Sequence, residues 1–245
     1  PAFFVITAWL FALDRRMSQR WALPLNVFML LGMVALLILQ KDLGQSILFA
    51  SVWGIQLFLA GYPLTWMFSL AGIGVAGLFG AYNYMPHVRS RIDGFYAPDG
   101  DRYQINRAAQ AFNDGGWLGV GPGEGKVKNA IPDVHNDFIF SVVGEEFGLM
   151  ACIGVLLVYT LLVMRGIAQA TRFDSLFTSL VALGIVCQLG LQALINMAST
   201  LALIPTKGMT LPFLSYGGSS LLSLAVSMGI FLAVTRRRPR QESFL

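Results

Sequence analysis

Seven apolar runs divide this chain, at roughly 1–13, 21–39, 43–60, 64–85, 138–164, 175–203 and 219–235. Most approach the ~20 residues that a helix needs to cross the hydrocarbon core of a bilayer. In hydrocarbon every backbone N–H and C=O must be paired within the protein, which leaves helices or closed barrels. Barrel strands would alternate apolar and polar residues over about ten positions, and these runs do not. The expected fold is an all-α, polytopic transmembrane bundle. Composition supports it: 56% of the 245 residues are apolar and 12% charged, with a mean hydropathy of +0.64, whereas soluble domains are about a quarter charged. The 18 Phe and 5 Trp suit a lipid-facing surface edged by aromatic belts. A net charge of +4 does not imply a nucleic-acid partner, because the basic residues fall in the gaps between the runs. Cys152 and Cys187 lie inside runs and read as small packing residues. Pro1 leads straight into Ala2–Leu13 without a Met, a charged n-region or a cleavage site, so no signal peptide is expected and the chain reads as a fragment of a longer protein.

Arg236, Arg237, Arg238 and Arg240 crowd the tail 236–245, which the positive-inside rule assigns to the cytoplasm. Counting back through seven spans puts Arg15, Arg16, Arg20, Arg165 and Arg172 on the same side, opposite Lys41 and Lys207 in short outer loops. The one long loop, about 86–136, then lies outside and carries six basic and six acidic residues. Those six basic residues nearly erase the bias, so the terminal cluster decides the orientation. A loop of this length is usually functional. Within it, Tyr103, Ile105, Ala108, Ala109 and Phe112 recur at near-helical intervals, which predicts a short helix lying along the membrane surface or standing in solvent.

Four stretches could carry chemistry. The run Gly115-Gly116-Trp117-Leu118-Gly119-Val120-Gly121-Pro122-Gly123-Glu124-Gly125-Lys126 could turn backbone N–H groups toward an anion, with Lys126 and Lys128 adding charge; a tight-turn loop is the alternative. It is not a nucleotide P-loop, since Val120 stands where glycine is needed and Val127 follows the lysine. Asp137 sits at the water boundary of a span, either as a reacting carboxylate or as a helix cap. His135 is a lone histidine, and no zinc-ligand spacing accompanies it. Asp137, Ser141 and Glu145 spread over about 80° of a helix, so a polar stripe could descend from the outer surface. There Glu145 would face substrate or hydrogen-bond another helix. Gln188, Gln192 and Asn196 read as helix–helix glue, and Gly72, Ala76 and Gly80 as a close-packing face. Finally, prolines and glycines interrupt Ile204–Ser220, and irregular backbone at membrane depth must be buried in protein or line a cavity. Lys207 is its only charge, and with Ser215 it is a candidate contact for an anionic head group.

Two ordered groups of residues resemble the SEDS family of FtsW and RodA: His135-Asn136-Asp137-Phe138-Ile139-Phe140 with Glu145-Glu146, and Pro205-Thr206-Lys207-Gly208 followed by Ser215-Tyr216-Gly217-Gly218-Ser219-Ser220. The resemblance spans nearly the whole chain from Lys41-Asp42-Leu43-Gly44 onward, and the Pro-Thr-Lys-Gly variant is similar to the division members rather than to RodA. It implies a single SEDS-type domain over 1–245, holding the last seven of ten spans. It implies a peptidoglycan glycosyltransferase that polymerises lipid II at the outer face of a bacterial cytoplasmic membrane, at the division septum. Its partners would be a class B penicillin-binding protein and other division proteins, and Asp137 would be catalytic. Two positions depart from the family pattern: Asn136 replaces the usual Thr, and the loop near Phe95–Tyr103 lacks a common Pro-Trp pair.

On that reading Asp137 takes a proton from the acceptor sugar hydroxyl, and Arg91, Lys126, Lys128 or Lys207 stabilises the departing pyrophosphate. A divalent cation, magnesium or manganese, could share that work, although no ligand set is visible in the sequence. No other cofactor is expected. The rival readings are a lipid II flippase, to which Glu145 and broken helices would also be suited, and a scaffold that recruits a transpeptidase.

Overall fold

The computed structural model describes residues 1–17, 19, 21–86, 88–90, 93, 103–126, 134–204 and 208–236. Its helices are α1 (Ala2–Met17), α2 (Ala22–Leu39), α3 (Leu43–Leu59), α4 (Leu64–Tyr84), α5 (Tyr103–Gly115), α6 (Ile139–Ala170), α7 (Leu176–Thr200) and α8 (Gly218–Thr235). No strand occurs among the described residues. Seven of these helices coincide with the seven apolar runs, and α5 with the amphipathic stretch of the long loop. By length and composition α2, α4, α6, α7 and α8 can cross a membrane, and α3 is an apolar helix slightly shorter than that. The first run continues as helix beyond residue 13, taking in Asp14, Arg15 and Arg16. Arginines in a last turn face the negative end of the helix dipole, which favours that extension.

The centre of the bundle is α7. Its residues Leu180 through Val186 are all buried, and it packs against α1, α3, α6 and α8. Phe4, Phe11, Leu48, Val52, Trp53 and Leu57 close the core from the α1–α3 side. The opposite faces carry Phe28, Leu39, Leu161, Leu222 and Leu232 outward. So many large exposed apolar residues suit lipid rather than water as the solvent.

Two polar side chains in this core, Gln56 and Asn26, have partners across helix boundaries. Gln56 is fully buried. Its Nε2 donates to the carbonyls of Phe4 and Leu180, each at 3.1 Å, and its Oε1 accepts from Thr7 Oγ1 at 2.8 Å. Asn26 joins the same region by donating to the Thr7 carbonyl at 3.0 Å and accepting from Trp53 Nε1 at 2.8 Å. At one bundle end Tyr62 donates to Asp14, and the Arg15 guanidinium lies 4.2 Å from the centre of the Tyr62 ring. Partial burial and the bond to Asp14 push the Tyr62 phenol well above its ordinary pKa.

Among the described residues no helix covers the close-packing face expected on α4. Gly72 and Gly80 have open space where a side chain would point, and Ala76 is exposed. A small-residue stripe draws helices together only where a second helix lies over it, and among the described residues α4 packs mainly on α3.

Replacing Gln56 by Leu removes three bonds that join α3 to α1 and α7. The expected loss is about 1–2 kcal/mol, since interhelical bonds in membranes contribute about 0.6 each. Unfolding in detergent should show a lower midpoint, and an unchanged midpoint would remove this cluster from the account of stability.

Candidate active site

The site forms at the end of the bundle where α6 begins, α7 ends and α8 begins. Two breaks in regular backbone build it. The first lies within α6, where Gly148 has φ 77° and ψ −176°. A positive φ costs little for glycine and strains any residue with a β-carbon. Here space forbids one as well, because a β-carbon on Gly148 would collide with the backbone of Trp117, Leu118 and Gly119.

That break frees helix N–H and C=O groups, and the glycine-rich run pairs with them. Val120 N–H donates to the Glu145 carbonyl and Gly121 N–H to the Glu146 carbonyl, both at 3.0 Å. In return Leu149 N–H donates to Gly116 at 2.9 Å and Met150 N–H to Trp117 at 3.3 Å. The sequence left this run as an anion cradle or a tight-turn loop. The structure corrects the cradle, because the N–H groups of Val120 and Gly121 are committed to α6 carbonyls. Glu145, 2% exposed, completes the seam by accepting the Lys126 N–H at 2.6 Å. The helix beyond the break, 149–170, is by itself about 33 Å long, enough for a bilayer core. Glu145 and Glu146 therefore need not sit at membrane depth.

The second break is the segment between α7 and α8. Asn196, fully buried, donates through Nδ2 to the Met209 carbonyl at 2.5 Å and to the Asp137 carbonyl at 2.9 Å. One turn earlier, Gln192 Nε2 donates to the Thr210 carbonyl at 3.0 Å and its hydroxyl at 3.3 Å. Tyr159 from α6 donates to the Pro212 carbonyl. Gln192 and Asn196 were expected to bond helix to helix. They hold irregular backbone instead, because the carbonyls of 209 and 210 have no helical partner in the turn that carries them.

Asp137 is half-buried and precedes α6 by two residues, with Phe138 in the cap position. Its Oδ2 faces Gly208 closely enough that a β-carbon there would stand 3.4 Å away. His135 and Ile139, two residues to either side, line a cleft of about 420 Å³ with Leu214 and Tyr216. Tyr216 N–H donates to the His135 carbonyl at 2.9 Å, joining the start of α8 to the same corner. Ser215 is next to it and closes its own turn, its Oγ accepting from Leu211 N–H at 2.7 Å.

Asp137 and Ser215 therefore share this end. Glu145 belongs to the neighbouring seam, and Lys126 is exposed where that seam ends. Ser141 is fully buried and bonds the Phe138 carbonyl at 2.7 Å. The polar stripe expected to descend from Asp137 therefore does not continue as an accessible surface, since Ser141 and Glu145 are buried. Arg91, Lys128 and Lys207 lie outside the described residues. Among the described residues no three metal-ligating side chains gather. The helix of the long loop, α5, packs Ala108 and Ala111 against Val134 and Phe138, rather than lying free on a membrane surface or in solvent.

Sequence reasoning missed two residues. Asn196 showed itself only as one member of a polar stripe at four-residue spacing. Gly148 gave no signal beyond a glycine in an apolar run.

A β-carbon at position 148 should undo the seam. Gly148→Ala is expected to release the backbone around the exposed Lys126, raising tryptic cleavage there at least tenfold in detergent, since forcing positive φ and overpacking together cost about 2–4 kcal/mol. Cleavage at the wild-type rate would mean that the loop is held by something other than this backbone fit.

Comparison with known proteins follows the same lines. The FtsW/RodA/SpoVE cell cycle protein model matches residues 1–240. A "probable peptidoglycan glycosyltransferase FtsW" of Caulobacter vibrioides is 41% identical over 240 residues, 98% of this chain and 62% of that protein. The protein of the same name from Geobacter metallireducens is 38% identical over 210 residues, covering 84% of this chain and 56% of its own length. The chain thus spans about three fifths of the relatives it matches. Among solved structures, one titled as the structural coordination of polymerization and crosslinking by a peptidoglycan synthase complex aligns with a TM-score of 0.75, at 29% identity over 95% of this chain and 67% of that one. The rod shape determining protein RodA of Thermus thermophilus aligns with a TM-score of 0.60, at 27% identity over 95% of this chain and 62% of its own. A multi-pass helical membrane protein, this chain belongs to the FtsW/RodA/SpoVE family.

Proposed function

We propose that the protein containing this chain is a peptidoglycan glycosyltransferase, polymerising lipid II at the outer face of the bacterial cytoplasmic membrane during septum formation. The observation that carries this reading is the carboxylate of Asp137. It is half-buried, its own carbonyl is anchored by Asn196, and it faces Gly208, whose neighbour in sequence is Lys207. The names of the FtsW relatives support the reaction class, and the family's description as a cell cycle protein supports a role in division. The solved synthase complex supports a crosslinking partner, for which a class B penicillin-binding protein is the proposed candidate. The arginine cluster Arg236, Arg237, Arg238 and Arg240 supports a cytoplasmic C-terminus and, through the expected seven spans, an outward-facing Asp137.

In the proposed step, a hydroxyl oxygen of the acceptor sugar attacks the anomeric carbon of the donor from the face opposite its pyrophosphate. The bond from that carbon to the pyrophosphate oxygen breaks, and its electron pair leaves with undecaprenyl pyrophosphate. Asp137 accepts the hydroxyl proton. The leaving group carries negative charge, which nearby cations stabilise. Lys126, exposed at the end of the seam, and Lys207, Arg91 and Lys128 are the proposed sources, with Ser215 as a neutral contact.

A transporter would need a carboxylate facing a water path through the membrane. Glu145 is poorly suited to that role, being buried and hydrogen-bonded to the Lys126 backbone.

In the full-length protein with its transpeptidase, Asp137→Asn should slow lipid II polymerisation by about 10²–10⁴-fold. Wild-type polymerisation by this variant would sink the assignment. Asn196→Ala keeps the base but frees its backbone and the 208–210 segment. Displacement of about 1 Å can cost ~100-fold, so the turnover rate should fall by roughly ten- to a hundredfold while apparent substrate affinity changes less. An equal fall in affinity alone would make Asn196 a binding residue instead.

A further inference from the structure

At the opposite end of the bundle from Asp137, separated from it by the full length of α6, a second and wider cleft opens. It has a volume of about 1170 Å³ and lies where α6 ends, α7 begins and α8 ends. Three guanidinium groups line it, each from a different segment: Arg165 from α6, Arg172 from the α6–α7 turn, and Arg236 just after α8. All three are exposed. Asp174 lines the same cleft, yet no ion pair within 4 Å is made by any of the three arginines among the described residues. Three positive charges against one negative leave the cleft with an uncompensated positive potential.

The remaining walls are of two kinds. Ala168, Ala233 and Val234 belong to the last turns of helices that face lipid, and Phe173 continues that apolar surface. Gln169 and Thr178 supply neutral polar atoms, and Gln169 Nε2 reaches the Thr235 carbonyl at 3.4 Å, tying α6 to α8 across the cleft. A small soluble anion would use the arginines and leave the apolar wall without purpose. A phosphate attached to a lipid uses both, because it stands at the depth where helix ends leave the hydrocarbon. Arginine also presents paired N–H donors that match phosphate oxygens in a fork.

We propose that this cleft binds the phosphate of an anionic phospholipid head group, with Arg165, Arg172 and Arg236 as its ligands. The site is independent of Asp137 and of the reaction proposed for it. It anchors the ends of α6 and α8 to the head-group layer, whichever leaflet that end faces.

The test is native mass spectrometry of the full-length protein in neutral detergent, titrated with dioleoyl phosphatidylglycerol or dioleoyl phosphatidylcholine. The wild type should retain phosphatidylglycerol at least tenfold more tightly than phosphatidylcholine. Each basic residue near a head group contributes about a fivefold preference. The combined Arg165→Gln, Arg172→Gln and Arg236→Gln variant should therefore bind phosphatidylglycerol on the order of a hundredfold more weakly. If that variant does not fold, as judged by its thermal midpoint, Arg165→Gln alone should lose about fivefold. Equal retention of the two lipids by the wild type would overturn the proposal, as would wild-type affinity in the folded glutamine variants. Displacement of the lipid by millimolar inorganic phosphate would assign the cleft to a soluble anion and end the lipid reading.

Discussion

Away from water, a peptide group without a hydrogen-bond partner costs several kcal/mol, and among the described residues two breaks in regular helix meet that cost at the site. At Gly148 the α6 ladder opens, and the segment 116–121 supplies the missing donors and acceptors. Between α7 and α8 the carbonyls of Met209 and Thr210 are met by Asn196 and Gln192. Every other feature of the site follows from those two repairs, because each of them fixes a segment that regular helices could not position.

The second repair links the site to the core. Asn196 is buried on the most enclosed helix of the bundle, and its one amide nitrogen serves carbonyls from two segments some seventy residues apart in sequence. A rigid donor of this kind helps to keep Asp137 and Gly208 at a constant separation. That arrangement suits a group that must hold its position while a large lipid-linked substrate comes and goes. The buried Gln56 does comparable work in the other half of the bundle, where its three bonds bring α1, α3 and α7 together.

Much of the fold was legible in the residues. All seven apolar runs are helices, and α5 lies where its spacing put it, because periodicity and length report local structure directly. The residues alone left Asp137, at the water boundary of a span, as either a helix cap or a reacting carboxylate, and the resemblance to the SEDS family supplied the catalytic reading. The glycine-rich run was harder to interpret. Free N–H groups and N–H groups bonded to a neighbouring helix look the same in sequence, and the distinction rests on Gly148, almost thirty residues away from Val120. The stripe Gln188, Gln192 and Asn196 was recognised as polar glue, but its partner was not, since spacing along one helix says which face is polar and nothing about what lies opposite. On α4 the small residues Gly72, Ala76 and Gly80 suggested a packing face that no described helix covers.

The sequence by itself determined the class of the molecule: a helical bundle in lipid, the positions of its apolar helices, and a short list of polar residues that lipid would not tolerate without a reason. Those follow from transfer free energies and helix periodicity, which depend on residues near one another in the chain. Only the tertiary structure decided which of those polar residues meet. It separated Glu145, drawn into the loop seam, from Asp137, drawn toward the segment after α7, although the two lie eight positions apart in sequence. The physical reason is that a buried hydrogen bond is satisfied by whichever group packing brings within about 3 Å, and packing is a property of the whole bundle.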